Sequence, residues 1–387
     1  SRGLGDVYKR QKDNCCIGGW EIDIDDETYE RYNNMTGELK HKILDSITQN
    51  EDEEYCFKLC DGKCPMLDDN GLCEIHKNLG EDYLGVVCKQ FPRYSEYYGT
   101  IKESGIGLAC EEAARIILSE NRPFSMETAA CDEEYEPSSE YDSSFALQIF
   151  AAREAVFKIL AKESLSIHEK LIVILDMGSK IQQCINTDEY DNIKSVVNDY
   201  LKEGIAHTLD ETRNLSDSGQ FEDISLQQGI RQILYPYEEM EVLNPEWEVI
   251  LKDIIDSLFE QMSDEEYNIL NEEFGTYMVS RAYEYRQLLE YLVFRYFAKS
   301  IYDYDFLGKC QMLVTNFFVI RQMDIIRWLD NHREYSFKDR MDVVHIFSRQ
   351  VEYSEDNIEN LYEDFIFDDI FKTDSLIAIL WIDSENI

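Results

Sequence analysis

Residues 145–160 read FALQIFAAREAVFKIL. Phe145, Ile149, Ala152, Val156, Ile159 and Leu160 return at steps of three and four, which lays one apolar stripe along an α-helix. Ile172, Ile174, Leu175 and Ile181 repeat the pattern in a second segment. Further helices are expected near 190–205, 223–235, 246–262, 264–273, 275–303, 306–331, 337–352 and 357–372. Strands do not alternate with helices, so a doubly wound sheet is excluded, and no fixed-period repeat is evident. The expected fold class is mainly α. It consists of a small loop-rich, cysteine-bearing N-terminal region with short strands, followed by a multi-helix C-terminal domain over 145–387.

The N-terminal third differs in kind. Cys15, Cys16, Cys56, Cys60, Cys64, Cys73, Cys88, Cys110 and Cys131 crowd into it, and only Cys184 and Cys310 lie beyond. Turn stretches such as Asp61-Gly62-Lys63 and Asp68-Asp69-Asn70-Gly71 separate a strand expected at 20–24 from short helices around 27–32 and 111–118. Small thiol-rich segments of this kind usually need a metal to fold. Residues 131–145, CDEEYEPSSEYDSSF, are acidic, rich in serine and interrupted by Pro137. The expected division is a metal-binding domain over 12–135, an acidic linker over 136–144 and an all-helical domain over 145–387. Residues 6–11, DVYKRQ, back-translate to gat gtg tat aag aga cag, which resembles the mosaic end of a transposon adaptor. Residues 1–11 are therefore read as a non-native segment and left out of the fold.

A net charge of −42 repels nucleic-acid phosphates and anionic bilayers, so neither a nucleic-acid nor a membrane partner is expected. A partner with exposed lysines is attracted instead. The head of the chain has no apolar signal-peptide core, and the uncharged run at 310–320 is too short to span a bilayer. A cytoplasmic location is expected. There, eleven cysteines are not a disulfide framework, and clustered ones point to metal ligation or thiol chemistry.

Four cysteines follow the pattern Cys64-x8-Cys73-x14-Cys88-x21-Cys110. Thiolates are soft ligands suited to iron–sulfur clusters or zinc, and glycine- and proline-bearing loops let them converge without strain. Cys15 and Cys16 are vicinal, and consecutive side chains diverge, so one is expected to bind metal and the other to support it. Cys56-x3-Cys60-x3-Cys64 imitates the C-x3-C-x2-C signature of radical S-adenosylmethionine enzymes, but it is one residue too long. Cys56 and Cys60 are read more simply as an i, i+4 pair on a helix face. His76, in ligand-like spacing to Cys73, is read as solvent-facing. Cys131, Cys184 and Cys310 are read as structural. No dinucleotide fingerprint, phosphate-binding loop or nucleophile elbow occurs. The aromatic-rich stretch 283–306 is read as core and helix-packing surface.

Taken together, CCIGGWEIDIDDETYERY, CPMLDDNGLCEIHKNLGEDYL, VCKQFPR and LACEEAARIIL resemble the flagellin lysine-N-methylase family, part of a larger group with a cysteine-rich zinc- or iron-chelating motif. The motifs lie within residues 12–120, and the aromatic helices near 285–330 also resemble the family's C-terminal part. The family's N-terminal motif usually carries a further cysteine four residues before the vicinal pair, where this chain has Gln11. Its CPFL is met by Cys64-Pro65-Met66-Leu67, a volume-conserving change. Its SCPEAAR is met by Ala109-Cys110-Glu111-Glu112-Ala113-Ala114-Arg115, with an acidic residue favourably placed at a helix start.

The resemblance implies methyl transfer from S-adenosylmethionine to flagellin lysines, in an enzyme carrying a [4Fe-4S] cluster, with zinc as the alternative metal. The implied metal ligands are Cys15, Cys16, Cys64, Cys73, Cys88 and Cys110. A lysine amine, with a reference pKa of about 10.4, must lose its proton before it can attack a methyl group, so a local base or a desolvated lysine channel is expected. A non-enzymatic zinc-binding interaction module is the competing reading. An electron-transfer protein is disfavoured, because no flavin or second-cluster motif accompanies the thiols.

Overall fold

The computed structural model describes residues 15–19, 22–50, 53–119, 121–130, 142–221 and 224–385. Residues 1–11, Cys131 and most of the expected linker lie outside the described residues. The fold is mainly α, as the helical periodicity predicts.

The chain first builds a small lobe. Helices α1 (Asp26–Asn34) and α2 (Glu38–Asp45) lead into β1 (Ile47–Gln49), which pairs antiparallel with β2 (Tyr55–Phe57). The short helices α3 (Glu74–Leu79) and α4 (Val86–Gln90) follow. Ile22, Ile24, Tyr32, Ile43, Phe57, Met66 and Ile75 form the lobe's own apolar core. Asp25 holds two pieces together: its Oδ1 accepts the Thr28 amide at 2.9 Å to cap α1, and its Oδ2 accepts the Val86 amide at 3.0 Å at the start of α4.

Two local expectations change here. The strand expected at 20–24 reduces, among described residues, to an isolated bridge from Asp23 to Cys56, with Ile22 and Ile24 buried beside it. Trp20 and Glu21 lie outside the described residues. Cys56 and Cys60 do not share a helix face. Cys56 sits in β2 opposite Thr48, while Cys60 exchanges backbone hydrogen bonds with Lys63 across a tight turn. Asp61 and Gly62 at φ 51° and 72° supply the left-handed backbone of that turn, which no helix could continue.

Beyond the lobe the chain changes core. The hairpin of β3 (Arg93–Tyr98) and β4 (Ile101–Ile106) turns through Gly99 and Thr100, and α5 (Glu111–Leu118) follows it. Tyr98, Leu108, Ala114 and Leu118 bury against the helical body, not the lobe. Arg153 clamps Glu103 of β4 with both guanidinium nitrogens, at 2.7 and 2.5 Å.

The body comprises α6 (Ser143–Leu160), α7 (Ile167–Asn186), α8 (Ile193–Asp199), α9 (Ile205–Asp217), α10 (Leu226–Glu238) and α11 (Pro245–Ile254). It continues through α12 (Asp264–Met278), α13 (Ala282–Tyr296), α14 (Ser300–Asp303), α15 (Phe306–Asp330), α16 (Phe337–Val351), α17 (Glu355–Phe367) and α18 (Thr373–Glu385). The opening stretch is α6: Asp142 caps it by accepting the Ser144 and Phe145 amides, and its apolar stripe faces α7, α8 and α13. Helix α15 is buried on nearly every side and runs through the middle, touching α7, α10, α11, α13, α16, α17 and α18. The expected 275–303 helix is interrupted, since α12 runs on to Met278 and α13 starts afresh at Ala282 after a tighter turn.

Buried charges tie α15 to its neighbours. Asp383 of α18 accepts a hydrogen bond from Asn271, sits 2.6 Å from His168 Nε2 and lies 3.9 Å from Arg321. Burial alone pushes this carboxyl up, but Arg321, His168 and the hydrogen bonds outweigh it and hold it at about 2. A depressed carboxylate contributes stability that is complete above its unfolded value of 3.8 and is lost as pH falls through about 2. Wild type should therefore lose about 2 kcal/mol more than Asp383→Asn between pH 5 and pH 2, measured as the difference between their urea midpoints across that range.

Candidate metal centre and adjoining cavities

The lobe gathers its thiols through ordinary turn chemistry. Cys64 donates its amide to the Cys16 carbonyl at 2.7 Å, which pins the vicinal pair beside the CPML turn. The loop from Cys64 to Cys73 closes on itself. Leu67 bridges Cys73, Asp68 Oδ1 accepts the Asn70 and Leu72 amides, and Glu74 donates its amide to the Met66 carbonyl at 2.8 Å. Gly71 at φ 72° makes that closure possible. Cys73 thereby stands at the start of α3, and α4 carries Cys88 toward it.

Five of the six expected ligands, Cys15, Cys16, Cys64, Cys73 and Cys88, lie in the lobe. The Cys15 and Cys16 sulfurs are 3.8 Å apart, and the Cys16 thiol also hydrogen-bonds with Cys64. The Cys73 thiol feels the charges of Cys64 and Cys15, and Cys88 feels those of Cys15, Cys64 and Cys73. Burial pushes Cys88 up to about 12 and raises Cys73. Hydrogen bonding to Cys15, and next to Cys64, raises Cys16, and the Cys16 hydrogen bond lowers Cys64. Cys110 is placed by another element: it opens α5, where its thiol acts on Tyr353 of the body.

Soft thiol donors of this kind, Cys64 buried and Cys15, Cys16, Cys73 and Cys88 part-exposed, suit an iron–sulfur or zinc centre. Among the described residues, no three His, Cys, Asp or Glu side chains are drawn into a finished coordination geometry. The sulfurs share one lobe without closing on a common point. His76 is exposed, as expected. Cys310 is buried in α15, its sulfur against Gly178 of α7, and belongs to helix packing. Cys310→Ser should leave bound metal unchanged while lowering stability by about 1–3 kcal/mol through a buried hydroxyl, read by metal analysis and thermal melting on the same sample.

Two cavities flank α5. The larger, about 850 Å³, lies between β4, α5, the 122–130 segment and α13. Tyr94, Phe124, Tyr291 and Phe294 wall it, and two of its carboxylates are paired, Glu103 with Arg153 and Glu290 with Arg286 at 2.8 Å.

The smaller, about 360 Å³, is at the seam between the lobe and the body. Ile17, Gly18 and Gly19, next to the vicinal cysteines, form one wall, and Asn244, His345 and Arg349 form another. Arg349 donates to the Gly18 carbonyl across the seam. Asn244 is 5% exposed and caps α11 by accepting the Glu246 amide at 3.1 Å, while its own amide N–H donates to Gln350 Oε1. Its side-chain Nδ2 is buried and has no hydrogen-bond partner. An unmet buried donor costs about 1–3 kcal/mol. Sequence reasoning missed both cavities, because their residues are distant along the chain and follow no motif.

A helical body bearing a thiol-rich lobe thus defines a mainly α protein with a candidate metal centre. The FliB lysine N-methylase C-terminal domain model matches residues 153–379, the greater part of the body. The chain belongs to this family. It is similar to a Lysine-N-methylase of Salmonella typhimurium, 31% identical over 115 residues that make up 28% of each chain. The Lysine-N-methylase of Salmonella choleraesuis matches to the same extent. A Flagellar biosynthetic protein FliU of Salmonella muenchen is 32% identical over 114 residues, covering 28% of this chain and 67% of that one. The matched stretch spans little more than a quarter of the two methylases. No solved structure matches the chain.

Proposed function

We propose that this chain is a protein-lysine N-methyltransferase acting on flagellin, with S-adenosylmethionine as donor and a [4Fe-4S] cluster, or zinc in its stead, held in the lobe. Cys15, Cys16, Cys64, Cys73 and Cys88 would hold the metal, with Cys110 reaching it from α5. The observation that carries the reading is the family match across the body, and Cys15, Cys16, Cys64, Cys73 and Cys88 all lie in the lobe. No helix among the described residues is long and apolar enough to cross a membrane, and we infer a cytoplasmic site of action, where flagellin is met before export.

The chemistry makes defined demands of the protein. The neutral lysine nitrogen attacks the sulfonium methyl carbon in line, a C–N bond forms as the C–S bond breaks, and the sulfur departs as a neutral thioether. The acidic surface gathers the lysine cation but opposes its deprotonation. The proton acceptor is therefore not a buried carboxylate already in use. Glu352 is one such group, taken by Tyr291 and Tyr296 at 2.8 and 3.0 Å and by Arg295 at 3.2 Å. Burial lifts both phenols well above the ordinary tyrosine value, so they stay neutral at pH 7.

The test co-expresses the protein with flagellin and maps lysine methylation by mass spectrometry, alongside iron, sulfide and zinc analysis of anaerobically purified protein. Methylated lysines dependent on this chain, with iron and sulfide bound, are expected. Stoichiometric zinc with unmodified flagellin would leave the zinc-binding interaction module as the reading.

A further inference from the structure

The β3–β4 hairpin leaves one edge open over the larger cavity. Its two strands form a sheet of their own, so each has an outer edge. Gly107 donates its amide to the Pro92 carbonyl at 2.7 Å, and the register then pairs Tyr94 with Gly105, Glu96 with Glu103 and Tyr98 with Ile101. Ladder bonds recur at every second residue of an antiparallel pair, so those pairs exchange them, and the backbone amides and carbonyls of Ser104 and Ile106 point outward. The Ser95 and Ser104 hydroxyls, 2.8 Å apart, mark the close side-chain spacing of a pair without ladder bonds. The β3 edge meets the body, where the Tyr97 carbonyl accepts the Tyr302 hydroxyl at 2.7 Å. At the β4 edge, no described residue bonds to the outward backbone groups of Ser104 or Ile106. Instead all six residues of β4 line the cavity of about 850 Å³, with the 122–130 segment as another of its walls. Tyr94, Phe124, Tyr291 and Phe294 give it aromatic sides, which suit the methylene stem of a long side chain.

An unpaired edge beside a cavity is a template for an extended segment, which adds as a further strand through its own backbone. Charge distinguishes the candidates for that segment. At −42, two copies of this chain repel each other, while a lysine-bearing segment is attracted. We propose that an extended, lysine-bearing segment of the protein substrate docks as a third strand on β4, bonded to the backbone of Ser104 and Ile106, with alternate side chains in the aromatic-walled cavity. This rests on the lysine methyltransferase reading. It makes the form of the substrate an extended stretch of flagellin, not a helix or a folded surface.

The test titrates fluorescently labelled, overlapping peptides that tile the flagellin sequence onto anaerobically purified full-length protein. Anisotropy reads binding, and hydrogen exchange is followed on β4. Lysine-bearing peptides are expected to bind and to slow exchange of the Ser104 and Ile106 amides. Ser104→Pro removes an outward amide that the hairpin does not use, and proline is tolerated at such an edge position. Its affinity for those peptides should fall at least roughly tenfold, the loss of a backbone hydrogen bond together with obstruction by the ring. Ser104→Ala loses the same hydroxyl but keeps the amide, and should bind as wild type does. Wild-type affinity in a Ser104→Pro protein that melts as wild type does would overturn the assignment. Peptides that bind without slowing exchange on β4 would overturn it whatever the proline variant does. Slow exchange at Ser104 and Ile106 before any peptide is added would overturn it as well, since the edge would already be covered, by a second copy if the protection grows with protein concentration and by this chain itself if it does not. Were no peptide bound while co-expressed flagellin is methylated, the docking edge would fall and the proposed activity would stand. Peptides bound at β4 with flagellin left unmethylated would keep the edge and remove the activity.

Discussion

Replacing Arg340 by methionine is expected to cost the helical body about 3–5 kcal/mol, the usual price of breaking a buried ion pair from one side. Arg340 of α16 is 1% exposed. It donates to Asp324 Oδ2 at 2.6 Å and Glu284 Oε2 at 3.0 Å, and its guanidinium lies 4.3 Å from the centre of the Tyr285 ring. Asp324 is also hydrogen-bonded by Tyr285 at 2.5 Å and by Tyr335, and Glu284 is held from the other side by Arg281. Without Arg340 buried Asp324 loses its cation, and Glu284 is left with Arg281 alone. Burial already pushes Asp324 above the ordinary carboxylate range with Arg340 in place, so in the variant it takes up a proton on folding. The measurement is urea unfolding followed by far-ultraviolet dichroism: the midpoint should fall at pH 7, and the deficit should shrink toward pH 5. A midpoint within error of wild type would mean that the network stabilises nothing.

Cys64→Ser, Cys73→Ser and Cys88→Ser are expected to act on the other half of the molecule, lowering bound metal and soluble yield together. These thiols lie in the lobe's own small core, and that core has little else to hold it. A structural metal contributes an apparent 10–16 kcal/mol in small zinc domains, roughly, more than any single apolar contact in the lobe could replace. Iron, sulfide and zinc analysis of each purified variant reads the effect. Full metal occupancy in all three would remove these residues from the ligand set.

The parts of this architecture that could be read from the chain are those whose signal is local. Phe145, Ile149, Ala152 and Val156 announce α6 because one face of that helix is buried and the other is not. The first helical stretch past the thiols, at 111–118, was readable for the same reason. Helix α18 escaped notice because Leu376–Trp381 is buried all round, and an evenly apolar helix carries no period. The interruption between α12 and α13 escaped because Val279–Arg281 is a tightened turn without proline or glycine to mark it. For the site, cysteine type and crowding pointed to the lobe. The mistaken helix for Cys56 and Cys60 came from trusting i, i+4 spacing where Asp61 and Gly62 turn the chain back on itself. Asn244 and Arg349 were invisible, because a cavity made by residues more than two hundred positions from Gly18 is a product of tertiary packing alone.

The change of core between Cys88 and Tyr98 has a consequence for how this protein fails. Its apolar interior is split in two, so heat, chelators and oxygen need not act on the whole at once, and a single melting temperature would describe neither half. Damage to the thiols leaves the larger half its own reason to stay folded. Were the proposed metal lost, the chain would be a candidate for recharging before degradation, with a folded helical body waiting for its lobe to be rebuilt.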